Sequence, residues 1–171
     1  MDAHDVVHIV RTLEAAGVPV WLDGGWGIDA LVRHATRAHD DVDVVIPLDA
    51  AASAQEALMA EDFRTRLDER PTRFVMDDPC GCSIDFHTVT FDEGGGGLQA
   101  LTDGTVFRYP PKGFAGNGFI DGQHVRCLTP EVQALCHLGY EPDEKDYHDM
   151  GVLRDSFSID LPAPYRAHEE R

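Results

Sequence analysis

Basic residues are scarce in this sequence. Of 171 residues only 14 are Lys or Arg, against 31 Asp or Glu, a formal net charge of −17. A surface so acidic repels phosphate backbones and anionic headgroups, which argues against a nucleic-acid partner and against a membrane surface. It suits a cationic substrate, or a site that collects divalent metal. Long apolar runs are missing as well. The nearest candidate, Val42 to Pro47, is interrupted by Asp43 and falls far short of the roughly 18 residues of a membrane span. The first residues, Met1-Asp2-Ala3-His4-Asp5, are acidic, unlike the basic start of a secretory signal, so the expected location is the cytoplasm. Cysteines are few: Cys80, Cys82, Cys127 and Cys136. Their C-x-C and C-x8-C spacings are not those of a zinc ribbon or finger, so reduced structural thiols are expected. Neither G-x-G-x-x-G nor G-x-x-x-x-G-K-[ST] occurs, which excludes the Rossmann and P-loop fingerprints. No EF-hand loop occurs either, which ranks a calcium-binding module last.

What is present is an ordinary globular mixture, 43% hydrophobic and 26% charged. The length predicts one domain over residues 1–171, without repeats or an interior linker. Val6, Ile9, Val10 and Leu13 recur at helical spacing until Gly17 and Pro19 stop the pattern. Val18 to Leu22 reads as a strand, Asp23-Gly24-Gly25 as a tight turn, and Trp26 to about Ala35 as a second helix. Asp41 to Ile46 reads as a strand and residues 49–61 as a third helix. Phe74 to Met76 and Ser83 to Thr90 should pair as a hairpin around the turn signal Asp77-Asp78-Pro79-Cys80-Gly81. Residues 92–97 read as a flexible loop, and residues 98–126 as short strands with a tight turn at Asp121-Gly122. Thr129-Pro130 starts a helix that ends near Gly139, and a last helix covers roughly 143–155. The tail from Asp160 reads as extended. The order predicts an α+β domain around a mixed sheet flanked by helices, with a small C-terminal extension of hairpins and helices. The core falls at about 5–90, hairpins and helices at about 91–155, and the tail at 156–171.

The chemistry concentrates in a few places. On a strand, Asp41 and Asp43 share a face while Val42 turns into the core. Val44, Val45 and Ile46 mark that strand as largely buried, and two carboxylates at its end repel each other unless compensated. A hard divalent cation such as Mg²⁺ supplies that compensation; a solvated acidic turn is the plainer alternative. Asp85, His87 and Val89 alternate with Ile84 and Phe86, so Asp85 could bring a third oxygen ligand and His87 a polar contact in a cleft. Both residue types are also common as edge-strand charges and structural histidines. Gly24-Gly25 before a helix lets backbone approach a ligand, and the helix start offers N–H groups to phosphate, though such turns are often only turns. Arg37 and Lys145 are candidate partners for triphosphate oxygens, or plain surface charges.

Together these residues form one order: strand, Gly-Gly, helix, Asp-x-Asp on the next strand, and a third Asp on a later strand. That order resembles the nucleotidyltransferase superfamily. Trp21 to Leu31, then Thr36-Arg37-Ala38-His39-Asp40-Asp41-Val42-Asp43, resemble the small lincosamide and aminoglycoside nucleotidyltransferases. Ile84 to Asp92, Leu128 to Glu131, Gly139 to Glu141 and Lys145 to Asp149 are similar to the lincosamide branch. The likeness spans roughly residues 5–155.

The resemblance implies a nucleotidyltransferase fold and Mg²⁺-dependent transfer of a nucleoside monophosphate from an NTP, ATP favoured, with pyrophosphate released. The acceptor would be a hydroxyl of a small cationic molecule, a lincosamide or aminoglycoside antibiotic. It implies metal ligation by Asp41, Asp43 and Asp85, with Asp85 as general base. Nucleotide contacts would come from Gly24, Gly25, Trp26, Arg37, His39 and Lys145, and acceptor contacts from Asp85, His87, Tyr109 and Tyr147. Members of the family often form dimers, so a homodimer is an open assembly. A protein hydroxyl or an unknown metabolite as acceptor, and a non-catalytic nucleotide-binding relative, stand as alternatives.

Overall fold

The computed structural model describes residues 1–169. In chain order the elements are α1 (Ala3–Ala15), β1 (Trp21–Asp23), α2 (Gly24–Val32), β2 (Asp41–Pro47), α3 (Ala51–Met59), β3 (Arg64–Glu69), β4 (Arg73–Asp77) and β5 (Ser83–Phe91). There follow β6 (Gly97–Ala100), β7 (Val106–Tyr109), β8 (Asn117–Ile120), β9 (Gln123–Arg126), α4 (Pro130–Cys136), α5 (Glu144–Phe157) and α6 (Ala163–Glu169). The main sheet runs β1-β2-β5-β4-β3, with β2 and β5 parallel and the other neighbours antiparallel. β6 pairs with the far end of β5, and β7 with β6; β8 and β9 form a separate hairpin. No helix among the described residues is long and apolar enough to cross a membrane.

Alternation along the central strands sorts the two faces. Val42, Val44 and Ile46 of β2 and Ile84 and Phe86 of β5 point into the main core, where α1 contributes Val6, Ile9, Val10 and Leu13 and α3 contributes Ala51, Ala54 and Leu58. The opposite face carries Asp41, Asp43, Asp85 and His87, and closes farther along on a second apolar cluster of Val45, Val89, Tyr109, Leu128 and Val132. A third cluster joins Ile28 of α2 to Ala134, Met150, Leu153 and Tyr165 on the C-terminal helices. In the main core, Phe74 and Phe86 stack at 4.3 Å with an interplanar angle of 3°. Phe86→Ala is expected to cost about 3–5 kcal/mol in a urea titration, the range for emptying a buried aromatic site; a loss under about 1 kcal/mol would contradict this packing.

Two expectations change, and β3 is an element the sequence pattern did not reveal. Gly24 and Gly25 do not form a turn ahead of a helix: α2 begins at Gly24 itself, capped by the Asp23 carboxylate, which accepts the Gly24 N–H at 2.8 Å. The strand running into it is correspondingly short and late. β3 carries no apolar alternation because it is an edge strand, exposed along most of its length and armed with Arg64, Arg66, Asp68 and Glu69, charges that discourage edge-to-edge pairing. The tail is helical from Ala163, because Pro164 falls in the first turn, where its missing N–H costs nothing. Tyr165 anchors it, with its ring 5.5 Å from Tyr147 and its hydroxyl donating to the His137 carbonyl at 2.7 Å. The Asp121-Gly122 turn forms as read, with φ of +46° and +71°, the paired positive values of a type I′ hairpin.

Candidate active site

Sheet register brings the carboxylates together. Asp23, Asp43 and Asp85 are successive cross-strand partners on β1, β2 and β5. Asp43, Asp85 and His87 each offer a ligand atom, all within 4.8 Å of one another. Asp41, two residues along β2, is exposed and outside that group. Arg73, reaching across from β4, donates to Asp85 Oδ2 at 2.5 Å and to Glu69 at 3.1 Å. The other oxygen, Asp85 Oδ1, is buried without a hydrogen-bond partner. A buried carboxylate oxygen left unmatched beside a second carboxylate is the donor chemistry that a hard cation completes, so these residues fit Mg²⁺.

Charge crowding leaves its mark. Asp41 is exposed but partly desolvated by the neighbouring sheet, which raises its pKa, and the charges of Asp43 and Asp85 raise it further. Burial also raises Asp23; His87 pulls it back and Asp43 adds to the rise. For His87, burial pulls downward, but hydrogen bonding and charge from Asp43, with help from Asp85 and Asp23, push the imidazole up to about 9.

The start of α2 lies against this group. Gly24 has a φ of +57°, and a Cβ there would fall 2.5 Å from Asp43 Oδ2. A Cβ on Gly25 would meet the His39 ring at 2.5 Å and the Arg37 guanidinium at 2.6 Å. Only glycine lets the backbone come this close to the carboxylate. The α2–β2 loop is tied to α2 by one buried carboxylate: Asp29 accepts the Thr36 N–H at 3.0 Å and its hydroxyl at 2.7 Å, and bonds His39 Nε2 at 2.6 Å. Arg37 then reaches α5, where its Nε and Nη2 donate to the two oxygens of the buried Asp149 at 2.8 and 2.7 Å.

A cavity of about 440 Å³ opens over these residues. Asp23, Gly24, Gly25, Arg37, Asp43 and Lys145 line it together with Arg73 and His87. Leu101, Phe107, Tyr109, Leu138 and Tyr140 form its apolar lining.

The profile of the aminoglycoside-2''-adenylyltransferase family matches residues 5–153. The chain belongs to this family. It is a nucleotidyltransferase. It is 28% identical to a lincosamide resistance protein of Staphylococcus haemolyticus over 152 residues, 88% of this chain and 92% of that one. It is 44% identical to a 2''-aminoglycoside nucleotidyltransferase of Escherichia coli, but over 50 residues only, 28% of each. Among solved structures, a lincomycin-bound lincosamide antibiotic adenylyltransferase superposes with a TM-score of 0.78 at 24% identity, covering 88% of this chain and 95% of that one. ANT(2'')-Ia in complex with adenylyl-2''-tobramycin gives 0.69 at 19%, covering 90% and 88%. At these identities the structural likeness establishes the nucleotidyltransferase fold.

Set on this fold, the site residues read from sequence divide. Gly24, Gly25, Arg37, Asp43, His87, Tyr109 and Lys145 line the nucleotidyltransferase's cavity. Lys145 is exposed and bonds Asp40 at 2.9 Å. Asp85 stands behind Arg73, in reach of Asp43. Trp26 is a correction: it packs in the main core, its ring 4.6 Å from that of His39. His39 is buried too, held by Asp29, and it positions the loop that carries Arg37 instead of facing the cavity. Tyr147 packs on Tyr165 in the C-terminal cluster and does not line the cavity.

Four residues escaped sequence reading. Arg73 sits just before an apolar strand and gives no local signal. Asp149 lies one helical turn after Lys145, a spacing that places both on one face of α5 and could have paired it with a cation. Asp23, read as a turn residue, is the helix cap. Gln99, the lone polar residue between Leu98 and Ala100, is buried and bonds Tyr109, Thr72 and His87.

Proposed function

We propose that this nucleotidyltransferase moves a nucleoside monophosphate from an NTP, ATP favoured, to a hydroxyl of a lincosamide or aminoglycoside antibiotic, releasing pyrophosphate. The observation that carries the reading is the pairing of Asp43 with Asp85 across parallel strands, beside the glycine-built start of α2, with Asp43 and that helix start lining one cavity. Asp43 and Asp85 would hold Mg²⁺, with Asp41 alongside on the same strand face. Bound there, the cation supplies charge neutralisation for the carboxylates and the triphosphate. The Gly24 and Gly25 backbone contacts the phosphates, and Arg37 and Lys145 add positive charge on that side. Asp85 takes the proton of the acceptor hydroxyl. The hydroxyl oxygen bonds to the α-phosphorus as the bond to pyrophosphate breaks in line.

The cavity lining favours a lincosamide over an aminoglycoside. The carboxylates of the α5 wall are already committed: Asp149 to Arg37, Asp146 to the Tyr140 hydroxyl at 2.9 Å, and Asp143 to the α5 N-terminus. A polyamine would find few free acids there. Leu101, Phe107, Tyr109 and Leu138 instead suit an acceptor with one amine and an apolar body.

The test is pyrophosphate release from ATP, GTP, CTP and UTP with Mg²⁺ across lincomycin, clindamycin and several aminoglycosides, with mass spectrometry for an adduct. A nucleotidylated lincosamide is the expected product. An adduct only on aminoglycosides would overturn the choice of acceptor. Intact Mg²⁺–NTP binding with no release from any pair would overturn the antibiotic reading and point to a metabolite or a protein hydroxyl. Gly24→Ala should displace Asp43 and lower turnover about a hundredfold, the scale set by a misplacement near 1 Å; unchanged turnover would free Gly24 of this role.

A further inference from the structure

We propose that Asp149 is a positioning residue for the phosphates of the NTP: it holds the Arg37 guanidinium in one orientation on the cavity wall, so that α5 sets the affinity of the nucleotide end of the site. The proposal rests on Arg37 as a contact of the triphosphate. Arginine carries five N–H donors. The Nε–H and one N–H of Nη2 go to the two oxygens of Asp149, and one N–H of Nη1 goes to the Ala38 carbonyl at 3.1 Å. One N–H on each Nη is left for a ligand. Nη2 stands against the start of α2, where a Cβ on Gly25 would fall 2.6 Å from it. The held guanidinium therefore sits beside the helix start proposed to meet the phosphates.

Stability alone does not account for this pair. The Asp149 side chain is 2% exposed and that of Arg37 21%. Charges held so far from water gain little over apolar residues of the same volume, because both lose their hydration. What the pair does confer is direction. Two parallel hydrogen bonds fix the plane of the guanidinium as well as its place. A long side chain held in this way has lost its rotamer freedom on folding, and a ligand need not order it. Lys145, one turn earlier on α5, reaches Asp40 at 2.9 Å, so this helix meets the α2–β2 loop twice, at Arg37 and at Asp40. Charge and orientation make opposite demands on Asp149. As a negative charge on this wall it repels phosphate, and removing it should tighten binding. As the holder of Arg37 it aids binding, and removing it should weaken binding.

Calorimetric titration of the full-length protein with Mg²⁺–ATP, and with Mg²⁺ and inorganic pyrophosphate, separates the two. Asp149→Asn keeps the volume but sets an amide N–H against the guanidinium. Affinity for both probes is expected to fall about tenfold, the scale of one long side chain left to be ordered by its ligand. Unchanged or tighter binding overturns the proposal. Adenosine carries no phosphate and should bind Asp149→Asn within about threefold of the wild type, as expected of an independent contact. An equal loss for adenosine and ATP would mean that Asp149 only holds the fold, and overturns the proposal too. Because Asp149 acts through Arg37, Arg37→Ala/Asp149→Asn should bind Mg²⁺–ATP no more weakly than Arg37→Ala; a further loss of about tenfold overturns it. Should Asp149→Asn fail to fold, Arg37→Lys decides. It keeps the charge without the fork, so a loss near that of Arg37→Ala is expected, and wild-type affinity would show that orientation by Asp149 is not needed. Arg37→Ala tells the two levels apart. If it binds Mg²⁺–ATP like the wild type, Arg37 does not meet the triphosphate and that reading fails; a loss there with none in Asp149→Asn defeats the role of Asp149 alone.

Discussion

Asp43→Asn should all but abolish turnover while leaving the fold intact. The substitution keeps the side-chain volume and removes one of the two charges that meet across β2 and β5. Charge neutralisation by a bound cation contributes several kcal/mol to such a transfer, and each 1.4 kcal/mol is tenfold, so a fall of at least about a thousandfold is expected. Mg²⁺-dependent nucleotide binding should weaken with it. A second readout comes from stability. In Asp43→Asn the rise in melting temperature on adding Mg²⁺ should be lost, since the charge that would bind the cation is gone. Full activity, or an undiminished response to Mg²⁺, would remove Asp43 from the cation site.

Asp85→Asn should separate binding from chemistry. Arg73 keeps an oxygen to bind, so the side chain stays in place, but the amide cannot take a proton. Turnover is expected to drop by about 10²–10⁴, the contribution of a positioned general base, with Mg²⁺–NTP affinity far less affected. A variant that binds and turns over normally would show that another group takes the proton. If nucleotide binding collapses along with turnover, the main duty of Asp85 is ligation and not proton transfer.

The carboxylate end of this site could be read from sequence because it obeys local rules. Period-two alternation put Asp41 and Asp43 on one face and Asp85 with His87 on one face, and the structure keeps both pairings. What alternation could not supply was the register between β2 and β5, which sets Asp43 rather than Asp41 opposite Asp85. Trp26 and His39 stand close in sequence to residues that line the cavity, yet helical geometry turns Trp26 into the core and a buried hydrogen bond to Asp29 draws His39 in after it. Arg73 and Gln99 act through partners 12 residues away in sequence, across antiparallel strand pairs, and nothing local marks such a contact. Pro162 and Pro164 read as an extended tail because proline usually ends helices; here Pro164 lies in the opening turn of one.

The two walls of the cavity differ in how freely they could be rewritten. On the α2 side, Gly24 and Gly25 tolerate no side chain, Asp29 fastens three groups of one loop, and Arg37 is clamped to α5, so one replacement disturbs several contacts at once. Leu101, Phe107 and Leu138 on the other wall belong to no such lattice. On the proposed function, selection for a new drug would find its raw material there: a bulkier or smaller residue at these positions would reshape the acceptor's berth and leave the transfer chemistry as it was.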